Sequence, residues 1–286
     1  MTASPIRARM ARIGLQDRLS APRSGRVAAA LVLLAVATAV IAPDLLAGSP
    51  EVIDPGIALH PPSGTHPFGT DWLGRDEYAR VVHGARASLL VGLGSTLLAS
   101  LAGTIWGLAA ALGGRVADQI GMRLADVLLA FPTILMALLV VAVLGPGTGN
   151  VVLAITIALT PGFARLVRIR THLVRRFAYV RSALDLGTAP WRVTLRHVVP
   201  NVLLPLGVLV VINIGTAIII GSSLSFLGLG PDTEVPEWGA MLSQSRNYLS
   251  AAWTLALFPG LAVTITVMAI SVAGRALRER VNGVEE

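Results

Sequence analysis

The chain contains no cysteine and no lysine, and all 23 of its basic residues are arginine. Without cysteine, neither disulfides nor thiolate metal sites are available. Without lysine there is no Walker-type phosphate loop, in which a lysine after the glycines reaches the phosphates, so the usual means of hydrolysing ATP is missing from this chain. Charge is scarce as well: Asp, Glu, Lys and Arg supply 14% of the 286 residues, where a soluble domain has about 25%.

Hydrocarbon fills the place of the missing charge. Apolar residues make up 54% of the chain and the mean hydropathy is +0.71, the composition of a polytopic membrane protein. A pI near 11.2 would suggest nucleic acid in a soluble protein. Here the arginines border apolar runs and read as topology signals, so no nucleic-acid partner is expected. The runs are 27–46, 88–112, 126–144, 151–164, 201–226 and 253–274. Each is near the ~20 residues that cross ~30 Å of hydrocarbon as a helix, the fourth only if its arginine-bearing last turns emerge into water. A cleavable signal peptide is the rival reading of the first run, because Leu-Leu-Ala-Gly-Ser stands near its end. The lack of a small-x-small site and the spans that follow favour an uncleaved helix.

The expected layout is a basic cytoplasmic tail (1–26), a first transmembrane helix (27–46), a proline-rich extracytoplasmic segment (47–86), a core of five further transmembrane helices (87–274) and a cytoplasmic tail (275–286). Within the core, polar stretches at 165–200 and 227–250 lie on opposite sides. With the first tail inside, 19 arginines fall on the cytoplasmic side and four, Arg75, Arg80, Arg86 and Arg246, on the other, while acids divide seven to nine. That asymmetry sets both termini in the cytoplasm.

The stretch 165–200 holds eight of the arginines and is too polar to enter a bilayer. FAYVRSALDL reads as a short helix stopped by Gly187, the residue best suited to a left-handed C-terminal position. A second helix then starts, with Thr188 as N-cap, Pro190 in the first turn, Trp191, Leu195 and Val198 on one face, and Pro200 as its end. Two short helices bent at a glycine make a knob that a soluble partner can grip.

This knob resembles the cytoplasmic coupling loop of bacterial ABC-importer permeases, whose pattern is Glu-Ala-Ala, three residues, Gly, and a Pro thirteen positions later. Arg181, Ser182, Ala183, Gly187 and Pro200 stand at those places, with Arg181 where the family usually has Glu. The resemblance implies that Tyr179, Arg181, Ser182, Ala183, Leu186, Gly187, Trp191 and Pro200 meet an ATPase. A second string, HPFGTDWLGRDEYARVVHGARASL, is similar to the entrance of the second span in the dipeptide/oligopeptide/nickel permease family. Gly69, Thr70, Asp71, Leu73, Gly74, Arg75, Asp76, Arg80, Gly84, Arg86, Ser88 and Leu89 match. A third, LSFLGLGPDTEVPEWGAML, resembles that family's outer loop, with Glu237 between Pro236 and Trp238. Asp71, Arg75, Asp76, Glu237 and Trp238 are therefore expected at an outer gate or a binding-protein contact.

The driving energy is expected from another chain. Proton- or sodium-driven transporters carry ionisable groups inside their spans, and these span interiors have none. Their polar groups are hydroxyls and an amide: Thr133, Thr156, Asn213, Thr216, Ser222 and Ser223 are the candidates for a translocation pathway, although most such side chains bond their own helix backbone. Gly103 and Gly107 form a small-xxx-small pair that reads as helix packing. An intramembrane hydrolase would need a nucleophile with a base at span depth, and His60, His66, His83, His172 and His197 all fall outside the cores. A membrane scaffold recruiting a soluble partner is the other rival.

The expectation is an all-α, six-span permease of ABC importer type I fold, non-catalytic, binding no cofactor or metal itself. The resemblance implies ATP and magnesium on two partner ATPase subunits or domains, a second homologous permease subunit, and an extracytoplasmic substrate-binding protein. The cargo is expected to be a di- or oligopeptide. Nickel or a metal chelate is the alternative, motivated by His60 and His66.

Overall fold

Open backbone groups are too costly in hydrocarbon, and helices satisfy them within each segment. A computed structural model describes residues 23–230 and 235–282. Among them the chain forms α1 (Arg23–Ile41), α2 (Glu77–Leu112), α3 (Gly114–Leu129), α4 (Thr133–Leu144), α5 (Thr148–Val174), α6 (Ala178–Asp185), α7 (Pro190–Phe226), α8 (Trp238–Ser245) and α9 (Thr254–Asn282). An isolated antiparallel bridge pairs Thr70 with Asp76.

Four helices, α2, α5, α7 and α9, are long and apolar enough to cross a membrane alone. The other two expected spans differ from simple rods. The run expected at 126–144 is split into α3 and α4, which meet at 90°. Pro132 is the cause, since it lacks the N–H that would continue the ladder and its ring disfavours helical geometry at Phe131. The first helix stops at Ile41, before Pro43 opens a 3-10 turn, and its apolar part is the shorter Ala30–Ile41. At the other end of the chain the sixth run does not stop at Gly274, because α9 stays helical to Asn282.

The core lies where α2, α4, α5 and α7 meet. Ala99 of α2, Met136, Ala137 and Val141 of α4, Ile155, Phe163 and Val167 of α5, and Val202, Ala217 and Leu224 of α7 share one buried cluster. The tightest seam is α2 against α5, and the sequence pair Gly103 and Gly107 makes it possible. A Cβ on Gly103 would stand 2.9 Å from the Thr160 carbonyl oxygen, and one on Gly107 would stand 2.5 Å from that of Ala164. No other residue allows so close an approach. On the opposite side of α2, Leu90, Leu97, Leu101 and Ile105 are exposed, as a lipid-facing stripe requires.

Arg26 of α1 and Glu279 of α9 form an ion pair at 2.6 Å, so the first and last described helices have those ends on one side of the bundle. The knob stands at one end of the bundle, and the proline-rich segment with α8 packs at the other. A second buried cluster closes that far end, built from Ala39, Val81, Ala85, Trp238 and Met241.

Candidate functional site

At the knob, α6 ends at Asp185 with Leu186 as its C-cap, and Gly187 follows with φ +81°. The Gly187 N–H donates to the Leu184 carbonyl at 2.9 Å and the Thr188 N–H to that of Ala183 at 3.1 Å, the paired reversed bonds of a Schellman ending. The second helix starts one residue later than expected. Ala189, not Thr188, holds the N-cap position, no side chain caps it, and Pro190 begins the first turn. Pro190 still fits, because its missing N–H would be unpaired there in any case.

Pro200 does not end this helix. A π-turn over Thr194–Val198 precedes it, in which the Val199 N–H reaches back five residues to the Thr194 carbonyl. The wider turn shifts the register so that proline falls in the first turn of the next helical segment, and the chain runs on as one helix to Phe226. The Asn201 side chain donates to the His197 carbonyl at 2.7 Å, satisfying a group beside the wide turn. The same register change divides the expected apolar face. Val193 and Val198 turn into the core with Val180, whereas Trp191 and Leu195 are exposed.

The knob therefore presents hydrocarbon to solvent. Leu186 is 85% exposed and Trp191 and Leu195 are each 62% exposed, with Tyr179 beside them. Arg181, Ser182 and Pro200 are also exposed, Ala183 is half-buried, and the Tyr179 ring meets the His197 ring edge-on at 5.9 Å. A depression of about 560 Å³ lies between α6 and the start of α7, lined by Arg175, Val180, Leu184, Trp191, Thr194 and Val198 among others. Arg181 has no ion-pair partner among the described residues. The apolar side chains of Leu186, Trp191 and Leu195 stand exposed on an otherwise polar loop.

Close to the knob, α3 is clamped to α5. Arg168 holds Asp118 through two bonds, Nε to Oδ1 at 2.7 Å and Nη2 to Oδ2 at 2.6 Å, and Arg165 pairs with Asp126. In the sequence Asp126 opens the third apolar run and Arg165 follows the fourth, whereas Asp118 and Arg168 were not singled out. Their opposite signs on neighbouring polar stretches were the available signal.

At the far end, the residues expected at a gate form a frame. Asp71 is fully buried, and its carboxylate accepts from the Leu73 and Arg75 N–H groups at 2.9 Å each and from Arg75 Nε at 2.6 Å. Asp76 caps α2 by accepting from the Tyr78 N–H at 2.9 Å. Glu237 caps α8, accepting from the Gly239 and Ala240 N–H groups at 2.9 Å each and from Ser88 Oγ at 3.1 Å. Trp238 donates its indole N–H to the Val81 carbonyl at 2.8 Å, and its backbone N–H to Ser88 Oγ at 3.2 Å. Asp71, Arg75, Glu237 and Trp238 are all buried, so they fasten the loop to α2 and shape its surface from beneath. Ser88 joins both partners and was missed as a site residue, although it stands in the matched string. Glu77 and Arg80, one turn apart, are buried in the same frame.

The six pathway candidates do not converge on one lining. Thr156 is shut in the α2–α5 seam, its hydroxyl donating to the Val152 carbonyl at 2.7 Å, with the Ser95 carbonyl at 3.3 Å. Asn213 donates to the Leu209 carbonyl at 2.9 Å, Thr133 begins α4, and Thr216 is exposed on α7. Ser222 and Ser223 do come together, in a groove of about 430 Å³ with Ile219, Phe226, Leu242 and Val263. The Ser223 hydroxyl donates to the Ile219 carbonyl at 2.7 Å, while the buried Ser222 hydroxyl has no hydrogen-bond partner among the described residues.

The family model described as the binding-protein-dependent transport system inner membrane component matches residues 99–283. A putative peptide transport system permease protein of Brucella suis is 40% identical over 262 residues, covering 92% of this chain and 88% of that protein. A glutathione transport system permease protein of Pectobacterium atrosepticum is 44% identical over 218 residues, covering 76% of this chain and 72% of its own length. A dipeptide transport system permease protein of Alkalihalophilus pseudofirmus is 41% identical over 242 residues, covering 84% and 79%. Among solved structures, a chain of the MetNI methionine ABC transporter in inward-facing conformations superposes with a TM-score of 0.58 at 16% identity, covering 70% of this chain and 95% of that one. That likeness is one of fold.

Proposed function

Because the chain belongs to the family of binding-protein-dependent transport system inner membrane components, we propose that it is the permease subunit of an ATP-driven ABC importer carrying di- or oligopeptides. The observation that carries the reading is the knob: exposed Leu186, Trp191 and Leu195 on a bent helix pair, joined without a break to the far end of the bundle by α7. An ATPase seated on that patch acts on a helix that also lines the groove at Ser222 and Ser223. The names of the relatives, peptide, dipeptide and glutathione permeases, support a peptide cargo.

In this reading the knob and both chain ends face the cytoplasm, as the arginine distribution favours, and α8 with the proline-rich segment faces the binding protein. A second homologous permease completes the pathway, and two ATPase subunits or domains hold ATP and magnesium. This chain performs no catalytic step. It supplies the contact that receives ATPase closure and the helices that change the opening.

The test is reconstitution of the complex with its ATPases and binding protein in proteoliposomes. ATP-dependent uptake of a labelled dipeptide or tripeptide is expected. Uptake of nickel with no competition by peptides would overturn the cargo, and normal peptide uptake after deletion of 178–195 would overturn the coupling role.

A further inference from the structure

Helix α3 carries an apolar surface that the transport reading does not use. Its inner face packs Ala125 against the bundle and sends Asp118 to Arg168 on α5, while Asp126 pairs with Arg165 at the edge. Both acids are thus neutralised by α5. The exposed half is itself divided along the helix. On one flank stand Val116, Ile120, Leu124 and Val127, all more than half exposed; on the other stand Arg115, Gln119 and Arg123, all exposed. At 100° per residue these are two adjoining stripes. Arg115 and Arg123 have no ion-pair partner among the described residues.

The direction of α3 agrees with this division. It turns 90° from α4 and crosses α5 obliquely, since Asp118 and Asp126, eight positions apart on α3, pair with Arg168 and Arg165, only three positions apart on α5. A helix crossing a span in this way advances little along the span's axis. It lies across the end of the bundle where the arginines gather. The apolar flank continues around the corner through Phe131 to Leu135 and Leu139 of α4, which are also exposed.

We propose that α3 is an interfacial helix that binds the surface of the bilayer, its apolar flank in the acyl boundary and Arg115 and Arg123 on anionic phospholipid headgroups. A divided face with arginine on the polar flank is the pattern of helices that lie in the membrane plane. The neutralisation of both acids leaves that flank positive, complementary to phosphatidylglycerol rather than to phosphatidylcholine.

Two measurements test it, and neither depends on cargo, ATP or the binding protein. A diazirine amino acid replacing Ile120 in the full chain, irradiated in membranes of the assembled complex, should yield adducts chiefly with phospholipid; adducts chiefly with another polypeptide would overturn the proposal in favour of a subunit interface. In mixed phosphatidylcholine–phosphatidylglycerol vesicles, the complex should retain phosphatidylglycerol preferentially on extraction. The double variant Arg115→Gln, Arg123→Gln should lower that enrichment about fivefold. Arg115→Lys, Arg123→Lys should keep it, and an enrichment unchanged in the glutamine variant would overturn the proposal.

Discussion

The indole of Trp238 and the carbonyl of Val81 are joined at 2.8 Å across 157 positions of sequence, and this bond fastens the far-end loop to the beginning of α2. The ring is buried against Gly84, where an added Cβ would lie 3.1 Å from Trp238 Cδ1. Trp238→Phe should lower stability by about 1 kcal/mol, the net value of one hydrogen bond, and Trp238→Ala by about 3–5 kcal/mol, because it also leaves a cavity. Thermal unfolding of the purified complex in one detergent checks both. No loss in Trp238→Phe would mean that the indole N–H contributes nothing, and equal losses in the two variants that the ring contributes nothing.

Ser88 tests the same junction from the other side. Its hydroxyl donates to Glu237 and accepts from the Trp238 N–H, so Ser88→Ala strands a buried donor and should cost about 1–3 kcal/mol. Glu237→Gln should cost about 1–2 kcal/mol, since its amide would point a donor at one of the two N–H groups it now caps. In the double variant the losses should not add, and strict additivity would show that the two side chains act separately.

Gly103→Ala and Gly107→Ala should each force α2 away from α5. The contacts that a methyl group would make include backbone atoms of Thr160 and Ala164, which cannot rotate aside. A loss of about 1–3 kcal/mol is expected, as for other overpacked interiors. Gly94→Ala on the same helix meets only Val152 Cγ1 at 3.9 Å and serves as the neutral control. The measurement is the melting temperature of the three variants side by side.

At Gly187 backbone geometry alone decides which side chain fits. Nothing stands within 4 Å of an added Cβ, so the cost of a side chain there comes from φ +81° alone. Gly187→Asn should be tolerated and Gly187→Val should lose about 1–2 kcal/mol locally, tilting the α6 surface and lowering both ATPase co-purification and uptake. Arg181→Glu should leave folding within about 0.5 kcal/mol of the parent, because the side chain is exposed, and any change it makes should appear in ATPase affinity and weaken with salt. Equal transport by Gly187→Val and Gly187→Asn would separate the bend from coupling.

Topology gives a further check. A reporter inserted after Pro62 is expected outside and one after Gly187 inside, following the 19 to 4 division of arginines. Finding both on one side would overturn the orientation proposed above.

Features decided by local chemistry were readable in the sequence. Gly187 as a left-handed stop, Pro190 in a first turn, and the close approach at Gly103 and Gly107 each depend on a few neighbouring atoms. Features decided by distant partners were not. Glu237 and Trp238 looked like exposed loop residues because Ser88 and Val81, their partners, lie about 150 positions away in the chain. Pro132 was visible, but it sits in an apolar run of the right length for a span, and length outweighed the break. Pro200 misled for the opposite reason: a proline ends a helix only when no wider turn precedes it, and the π-turn at Thr194–Val198 leaves no periodic signature. The frame around Asp71 shows the same limit, since its matched string marked the residues that matter and gave no sign that they would be buried.

The unbroken α7 has a mechanical consequence. Its 37 residues run about 55 Å at 1.5 Å each, from Pro190 at the knob to Phe226 beside the groove. If such a rod pivots near its knob end by about 5°, its far tip sweeps roughly 5 Å, close to the spacing of two extended backbones. A displacement hardly measurable at the knob is then as wide as an extended backbone beside the groove. The π-turn near the pivot, with its looser hydrogen bonds, is the place where such a tilt would meet least resistance.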